Sequence, residues 1–308
     1  MKRVRLRLFL AIAAVWVLWG STYAGMHVAL GSLPPFAMAA MRFTVAGLIL
    51  WVIAAAFGEG RPSLATVRNA LITGALLLLL GNGVMAWTVQ FLPTGLNALL
   101  VSVAPIWMAA IDFAWKRRVP TRMAMIGMAL GLIGMAVLLG PRSSASFPLV
   151  PAAIAVLGSV AWALGSIYQR YVVAEAPMLA TALQMFFGGL LLAIEAALTG
   201  QWQQVHLATV TPAAWLALAW LVVCGSLIGY SAYLYTIRHA PTALASTYAY
   251  VNPLVAVVLG IVLFHERLTV LEGVAGAIIV AGVALMMVPS RGVATVAPLA
   301  TFAARETY

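Results

Sequence analysis

Apolar residues run through this chain in long blocks, broken by short clusters of Gly, Pro and charge rather than by a polar face at regular intervals. A helix needs roughly 20 mostly apolar residues to cross a bilayer. With the breaks as punctuation, the pattern predicts ten such segments, near 8–30, 34–57, 68–91, 94–115, 121–140, 148–170, 178–198, 212–236, 242–264 and 270–289. The connections are short. The third and fourth segments turn at Leu92-Pro93-Thr94, so neighbouring spans are expected as antiparallel hairpins with little room for a soluble domain. The expected fold class is all-α integral membrane, with ten transmembrane helices.

Composition agrees with the pattern. Of 308 residues 64% are hydrophobic and 8% charged, with a mean hydropathy of +1.06. A soluble domain carries about a quarter charged residues, so this chain has too little polar surface to cover a globule in water. The formal charge of +10 does not mark a nucleic-acid binder, because no basic face with interleaved aromatics is present. The cations sit instead between apolar runs, where they read as topology signals. Lys2, Arg3, Arg5, Arg7, Arg61, Arg68, Lys116, Arg117, Arg118, Arg122, Arg170, Arg238, Arg291 and Arg305 fall in one set of loops, and Arg142 and Arg267 in the other. Both termini are therefore expected in the cytoplasm, with tails 1–7 and 290–308. The start resembles a secretory signal, but its apolar run is long enough to span, so it is expected to stay as the first helix. The single cysteine, Cys224, rules out a disulfide within the chain.

The chain also repeats itself. LPTGLNALLVSVAP, ending at Pro105, resembles APTALASTYAYVNP, ending at Pro253, at an offset of 148 that also pairs Gly134 with Gly282. WGSTY at 19–23 echoes LGSIY at 164–168 at an offset of 145, and MRFTVAGLIL at 41–50 echoes LQMFFGGLLL at 183–192 at an offset of 142. Each half, 8–140 and 148–289, then holds five spans. Because five is odd, the second half enters the membrane from the opposite side. Two five-helix halves of opposite orientation form the inverted repeat found in many secondary transporters.

Two stretches carry a family likeness. WGSTYAGMHVAL with LPPFAMAAMRFTVAGLILW, and STYAYVNPLVAVVLGIVLFHERLTVLEGVAGAIIVAGVALMM, resemble the EamA branch of the drug/metabolite transporter superfamily. The resemblance covers about residues 10 to 289. It implies a ten-helix carrier of the inner membrane with a central cavity and alternating access, the fifth helix of each half lying outside the cavity. It implies export of small metabolites, either amino acids or amphipathic metabolites and drugs, and the many aromatic residues in mid-span put neutral or aromatic amino acids first. One departure concerns a turn. The second half has His265-Glu266-Arg267 after its fourth span and the first half has Lys116-Arg117-Arg118, so Glu266 is given no essential role.

Polar side chains inside the spans are the candidates for function, because hydrocarbon offers them no partner. Ser21 and Thr22 either bond back to their own helix or face a cavity. Tyr23 recurs as Tyr168 in the other half, and a pseudo-symmetric pair near the midplane would share a cavity or serve packing alone. Arg42 lies roughly 12 Å into the second span. Such a position costs about 2.5–3.5 kcal/mol on insertion, so Arg42 either bonds freed helix carbonyls or meets a substrate carboxylate. Its counterpart is Gln184. Asp112 and Glu195 lie near span ends, and neither is expected at the depth of Arg42. The expected cavity residues are Trp19, Ser21, Tyr23, Arg42, Asn82, Trp162, Tyr168, Gln184, Tyr230 and Asn252. Pro105 and Pro253 lie about half-way along the fourth span of each half, where an interior proline frees a carbonyl, and are expected either as a hinge or gate or as a fixed bend needed for packing.

No cluster has metal-ligand spacing, and no Gly-rich loop precedes a Lys-Ser/Thr pair for ATP, so no metal and no cofactor are expected. His27 is a candidate for proton coupling, with transport down a gradient as the other option. The expected partners are a small-molecule substrate and the lipid bilayer, with a homodimer and a monomer both open. A membrane-embedded lipid enzyme would need ionisable groups clustered at one depth, which the sequence does not offer. A pore is the third class, and counterflow separates it from a carrier.

Overall fold

The computed structural model describes residues 2–59, 61–88, 90–91, 100–139, 149–172, 174–264 and 270–288. The expected turn at Leu92-Pro93-Thr94, Arg142, the His265-Glu266-Arg267 segment and the tail from 290 lie outside the described residues. Among the described residues the chain is helical and has no strand. The helices are α1 (residues 2–30), α2 (Pro35–Ala56), α3 (Leu64–Thr88), α4 (Ala104–Lys116), α5 (Arg122–Leu139), α6 (Leu149–Tyr171), α7 (Pro177–Leu198), α8 (Pro212–His239), α9 (Tyr248–Phe264) and α10 (Val270–Met286). One isolated helical turn, Thr242–Ala245, precedes α9.

Local chemistry sets the starts. Pro35, Pro177 and Pro212 open α2, α7 and α8, where a missing N–H costs nothing and the fixed φ is already helical. Ser63 and Thr211 cap α3 and α8 through Thr66 N at 3.2 Å and Ala214 N at 3.2 Å. Among the described residues six helices are long and apolar enough to cross a membrane: Leu6–Leu30, Pro35–Ala56, Leu64–Thr88, Leu149–Tyr171, Pro177–Leu198 and Pro212–His239. Their outer faces carry exposed apolar side chains such as Val52, Leu157, Ile194 and Leu216. Water would penalise that surface, whereas lipid tails match it. This is a multi-pass membrane protein.

Two helix pairs pack most closely, α2 with α7 and α5 with α10. Small residues let the backbones approach. A Cβ on Gly47 would lie 2.5 Å from Phe186 N, and one on Gly189 would lie 2.5 Å from Thr44 N. In the other pair, a Cβ on Gly134 would lie 3.1 Å from both Ala275 O and Ile279 N, and one on Gly282 would lie 2.7 Å from Gly127 O and 3.0 Å from Gly131 N.

The α2/α7 pair is also pinned at both ends. Glu59, just beyond α2, accepts from the first free N–H groups of α7, Met178 N at 3.3 Å and Leu179 N at 2.6 Å. Gln201, just beyond α7, accepts from those of α2, Phe36 N at 2.8 Å and Ala37 N at 3.3 Å. Each end of the pair thus satisfies backbone donors that a helix start leaves orphaned. Losing such an acceptor costs about 0.5–2 kcal/mol. Glu59→Ala and Gln201→Ala should each lower the thermal midpoint of the purified protein in detergent by a few degrees. Glu59 should give the larger drop, because a carboxylate also meets the positive end of the α7 dipole. Midpoints unchanged by either substitution would show that these caps carry no stability.

The fourth span departs from the expectation at Pro105. The helix is broken at residues 102–103, and Pro105 sits in the first turn of α4, with Ile106 N bonded to Val103 O at 2.9 Å. Pro105 therefore starts a helix rather than interrupting one, and it frees no interior carbonyl. In the second half the break comes at Ser246–Thr247, and Pro253 falls within α9.

Candidate functional site

The cavity is built where three helices change their winding. α1 is π-helical over Val15–Trp19, α3 over Gly74–Gly83 and α8 over Leu221–Tyr230. A π turn is wider than an α turn and leaves carbonyls poorly matched along the helix. One of these, Gly225 O, accepts the indole N–H of Trp19 at 3.0 Å. Trp19, Asn82 and Tyr230, at or near the end of each π segment, all line one central cavity. It encloses about 960 Å³ including the space of its mouth, and its walls come from α1, α2, α3, α6, α8, α9 and the start of α4. Among the described residues none of α5 or α10 lines it.

Of the side chains expected there, Trp19, Tyr23, Arg42, Asn82, Trp162, Tyr230 and Asn252 line this cavity. The other three do not. Ser21 bonds back to Leu18 O at 2.7 Å and accepts from Trp220 Nε1 at 3.2 Å, so it faces away. Tyr168 donates to Asn69 Oδ1 at 2.8 Å, beside the start of α3. The expected sharing of a cavity by Tyr23 and Tyr168 is corrected, because Tyr168 is two turns past Trp162 along α6. Gln184 is buried on α7, its carbonyl facing Gly74. Its uncharged side chain takes no part in the wall that Arg42 forms.

The floor is aromatic. Trp19 meets Tyr233 at 4.9 Å, Tyr248 at 5.2 Å edge-on and Trp162 at 5.7 Å edge-on. Trp162 Nε1 donates to Tyr248 Oη at 2.6 Å, and Tyr233 shares a short hydrogen bond with Ser166. Edge-to-face packing and paired polar tips fit rings that must be both buried and satisfied. Asn252 closes the α1/α9 side, and its amide is assigned with the nitrogen towards the Trp16 and Tyr248 carbonyls, 3.2 Å from each, because only that orientation gives it acceptors.

Below this floor lies a polar latch at the end of the bundle that carries Arg61, Arg68, Lys116, Arg118 and Arg122. Asp112 of α4, buried, accepts a short hydrogen bond from Tyr171 Oη of α6 and another from Thr242 Oγ1 at 2.5 Å. Arg170 donates to Ile237 O at 3.0 Å and Ala240 O at 2.7 Å, capping the end of α8. Lys116 sits 5.1 Å from the centre of the Tyr171 ring. Three helices and the turn before α9 are thus tied together beneath the cavity.

Arg42 is the charged member of the lining. Its Nε donates to Ser226 Oγ at 2.8 Å and its guanidinium lies 4.7 Å from the centre of the Phe43 ring. The Oη of Tyr230, one turn beyond Ser226, is buried with no hydrogen-bond partner among the described residues. Tyr248, Thr22, Ser102 and Ser159 also line the cavity and were not among the expected residues. Thr22 and Ser159 bond back to carbonyls of their own helices, at 2.6 Å and 2.8 Å.

The structure is a bundle of lipid-matched helices around a central, mostly apolar cavity with a few convergent polar groups, and the comparisons with known proteins name membrane transporters. The sequence model of the EamA-like transporter family matches residues 6–140 and again 150–288, and the chain belongs to that family. It is 35% identical over 287 residues to YedA, an inner membrane transporter of Escherichia coli (strain K12), covering 92% of each chain. It is 26% identical to a probable terminal-alkyne amino-acid exporter of Streptantibioticus cattleyicolor, covering 89% of this chain and 93% of that one. A solved crystal structure, at 21% identity, superposes with a TM-score of 0.75 over 92% of this chain and 96% of the other, and so shares the fold.

Proposed function

We propose that the protein is a secondary carrier of the inner membrane that exports small metabolites by alternating access, with neutral or aromatic amino acids as the first candidates. The carrying observation is the central cavity above a layered floor and latch. In this reading all of α1–α10 cross the bilayer as two inverted five-helix repeats, 8–140 and 148–289, with both termini cytoplasmic and the basic end inside.

Reciprocal contacts support the repeat. At an offset of 142, Glu59 answers to Gln201 and Phe36-Ala37 to Met178-Leu179, and each acceptor caps the other half's helix. At an offset of 148, Gly134 against Ala275 and Ile279 answers to Gly282 against Gly127 and Gly131. The helix neighbours exchange in the same way: α1 packs on α8 and α9, while α6 packs on α3 and α4. The two separate family matches fall on the two halves.

The amino-acid assignment draws on the named substrate of the Streptantibioticus relative and on the aromatic walls. Those same walls favour a second reading, export of amphipathic drugs or other apolar metabolites. Counterflow in proteoliposomes separates them. The vesicles are loaded with a mixture of amino acids, and each is followed by mass spectrometry with and without a pH gradient. Selective exchange of one class is the expected result. Exchange of no amino acid would retire that assignment in favour of the second reading. Net leakage without exchange would replace the carrier by a pore.

A further inference from the structure

We infer that the cavity holds a carboxylate seat made by Arg42 and the Tyr230 hydroxyl, so that its ligands are organic monoanions with an apolar or aromatic body, and an amino group is not required. The inference deepens the carrier reading and rests on it for its place in a transport cycle.

Arg42 is 6% exposed within an apolar bundle. A cation at that depth must be compensated, yet among the described residues no carboxylate reaches it. Its compensation is one hydroxyl, Ser226 Oγ at 2.8 Å, and one ring face. Ser226 takes Nε, which leaves the two terminal amino groups, the pair that bind a carboxylate in parallel, without a hydrogen-bond partner among the described residues, on a side chain that lines the cavity. Gly225 makes the room. A Cβ there would lie 2.6 Å from Arg42 Nη2.

Tyr230 adds a second, independent observation. It is 1% exposed, it lines the same cavity, and its hydroxyl has no hydrogen-bond partner among the described residues. A buried donor is seldom left unpaired without a reason. A ligand carboxylate would satisfy it together with Arg42, while the body of the ligand lies against Trp19 and Trp162.

The same lining rejects a lone amine. Among the described residues no Asp or Glu lines the cavity, so an ammonium would meet only ring faces, hydroxyls and amides, with no charge to pair it. Ring faces attract cations weakly, and the unscreened charge of Arg42 opposes them in a site of low dielectric. The zwitterion of an amino acid fits through its carboxylate, and its amino group gains little.

The test is isothermal titration calorimetry on the purified full chain with three probes that share one body: 3-phenylpropionate, 3-phenylpropanamide and phenethylamine. The expected order is carboxylate at least about 10-fold tighter than amide or amine, the scale of losing charge-assisted hydrogen bonds. Arg42→Gln should bring the three within about 2-fold of one another, and Ser226→Ala should narrow the gap without erasing it. If Arg42→Gln does not fold, Gly225→Ala crowds the same guanidinium and should lower carboxylate affinity alone. An amine that binds as well as the carboxylate, a preference that survives Arg42→Gln, or binding of no probe would each overturn the seat. Calorimetry needs no transport, so a failure of counterflow with this ranking intact would sink the carrier and leave the seat standing.

Discussion

Gly47→Leu should leave almost no folded protein. The α2/α7 crossing has no slack, because a Cβ at residue 47 already meets backbone, Phe186 N at 2.5 Å and Ala182 O at 2.9 Å. A side-chain atom can rotate away from a collision, but a helix backbone cannot. The two helices would have to part along the contact that binds the halves most closely. Overpacking typically costs about 1–3 kcal/mol, and a whole isobutyl group driven against main chain belongs at or above the top of that range. The measurement is the yield of monodisperse protein by size-exclusion chromatography in detergent, with the thermal midpoint of whatever is recovered. Gly276→Ala in α10 is the control, since its nearest neighbour would be Leu254 Cδ2 at 3.5 Å, an ordinary contact. Parent-like yield and midpoint for Gly47→Leu would mean that the crossing is looser than the structure has it.

Asp112→Ala should open the basic end. Its carboxylate gathers Tyr171 of α6 and Thr242 before α9 onto α4, and under the proposed alternating access these hydrogen bonds must break for the basic end to open. Hydrogen bonds to charged groups are worth about 1.5–3 kcal/mol each. Losing two of them moves a closed-to-open equilibrium by roughly 30-fold or more even after generous discounting. Ser166, between the latch and the aromatic floor, reports the change. In a Cys224→Ser background, Ser166→Cys should react slowly with an impermeant maleimide applied from the basic end. Adding Asp112→Ala should speed that reaction by the same factor. Asp112→Asn keeps one acceptor oxygen and should fall between the two. Equal labelling rates with and without Asp112 would remove the latch from the gating scheme.

The helices were legible in the sequence because their ends are written in it: Pro35, Pro177 and Pro212 open helices where the apolar runs begin. Which face of each helix points inward was much less legible. In a soluble protein the polar face identifies itself, but lipid is as apolar as the core, so Ser21 and Thr22 look alike on paper. They stand about 100° apart around α1. Thr22 faces the cavity and Ser21 faces Trp220. Arg42, Asn82 and Asn252 were easier to place, because a strongly polar group within a span has few places to go. The repeat misled at Tyr168, where a match of letters to Tyr23 was not a match of surroundings. Glu59 and Gln201 were missed because they lie in connections, where no periodicity announces a cap. The signal that could have found them was their shared offset of 142 with the helix starts they satisfy.

The pairing of helices across the halves has a consequence for how the chain is made. α2 waits for α7, α5 for α10, and α1 for α8 and α9. A ribosome adds about 5–20 residues each second, so the first half spends on the order of ten to thirty seconds in the bilayer before its partners emerge. During that interval the small-residue face of α2 and the Gly127-Gly131-Gly134 face of α5 have only lipid or another nascent chain beside them. Assembly is therefore a contest between the half still being translated and any neighbour that arrives first, and a pause between residues 140 and 149 would tilt it towards the neighbour.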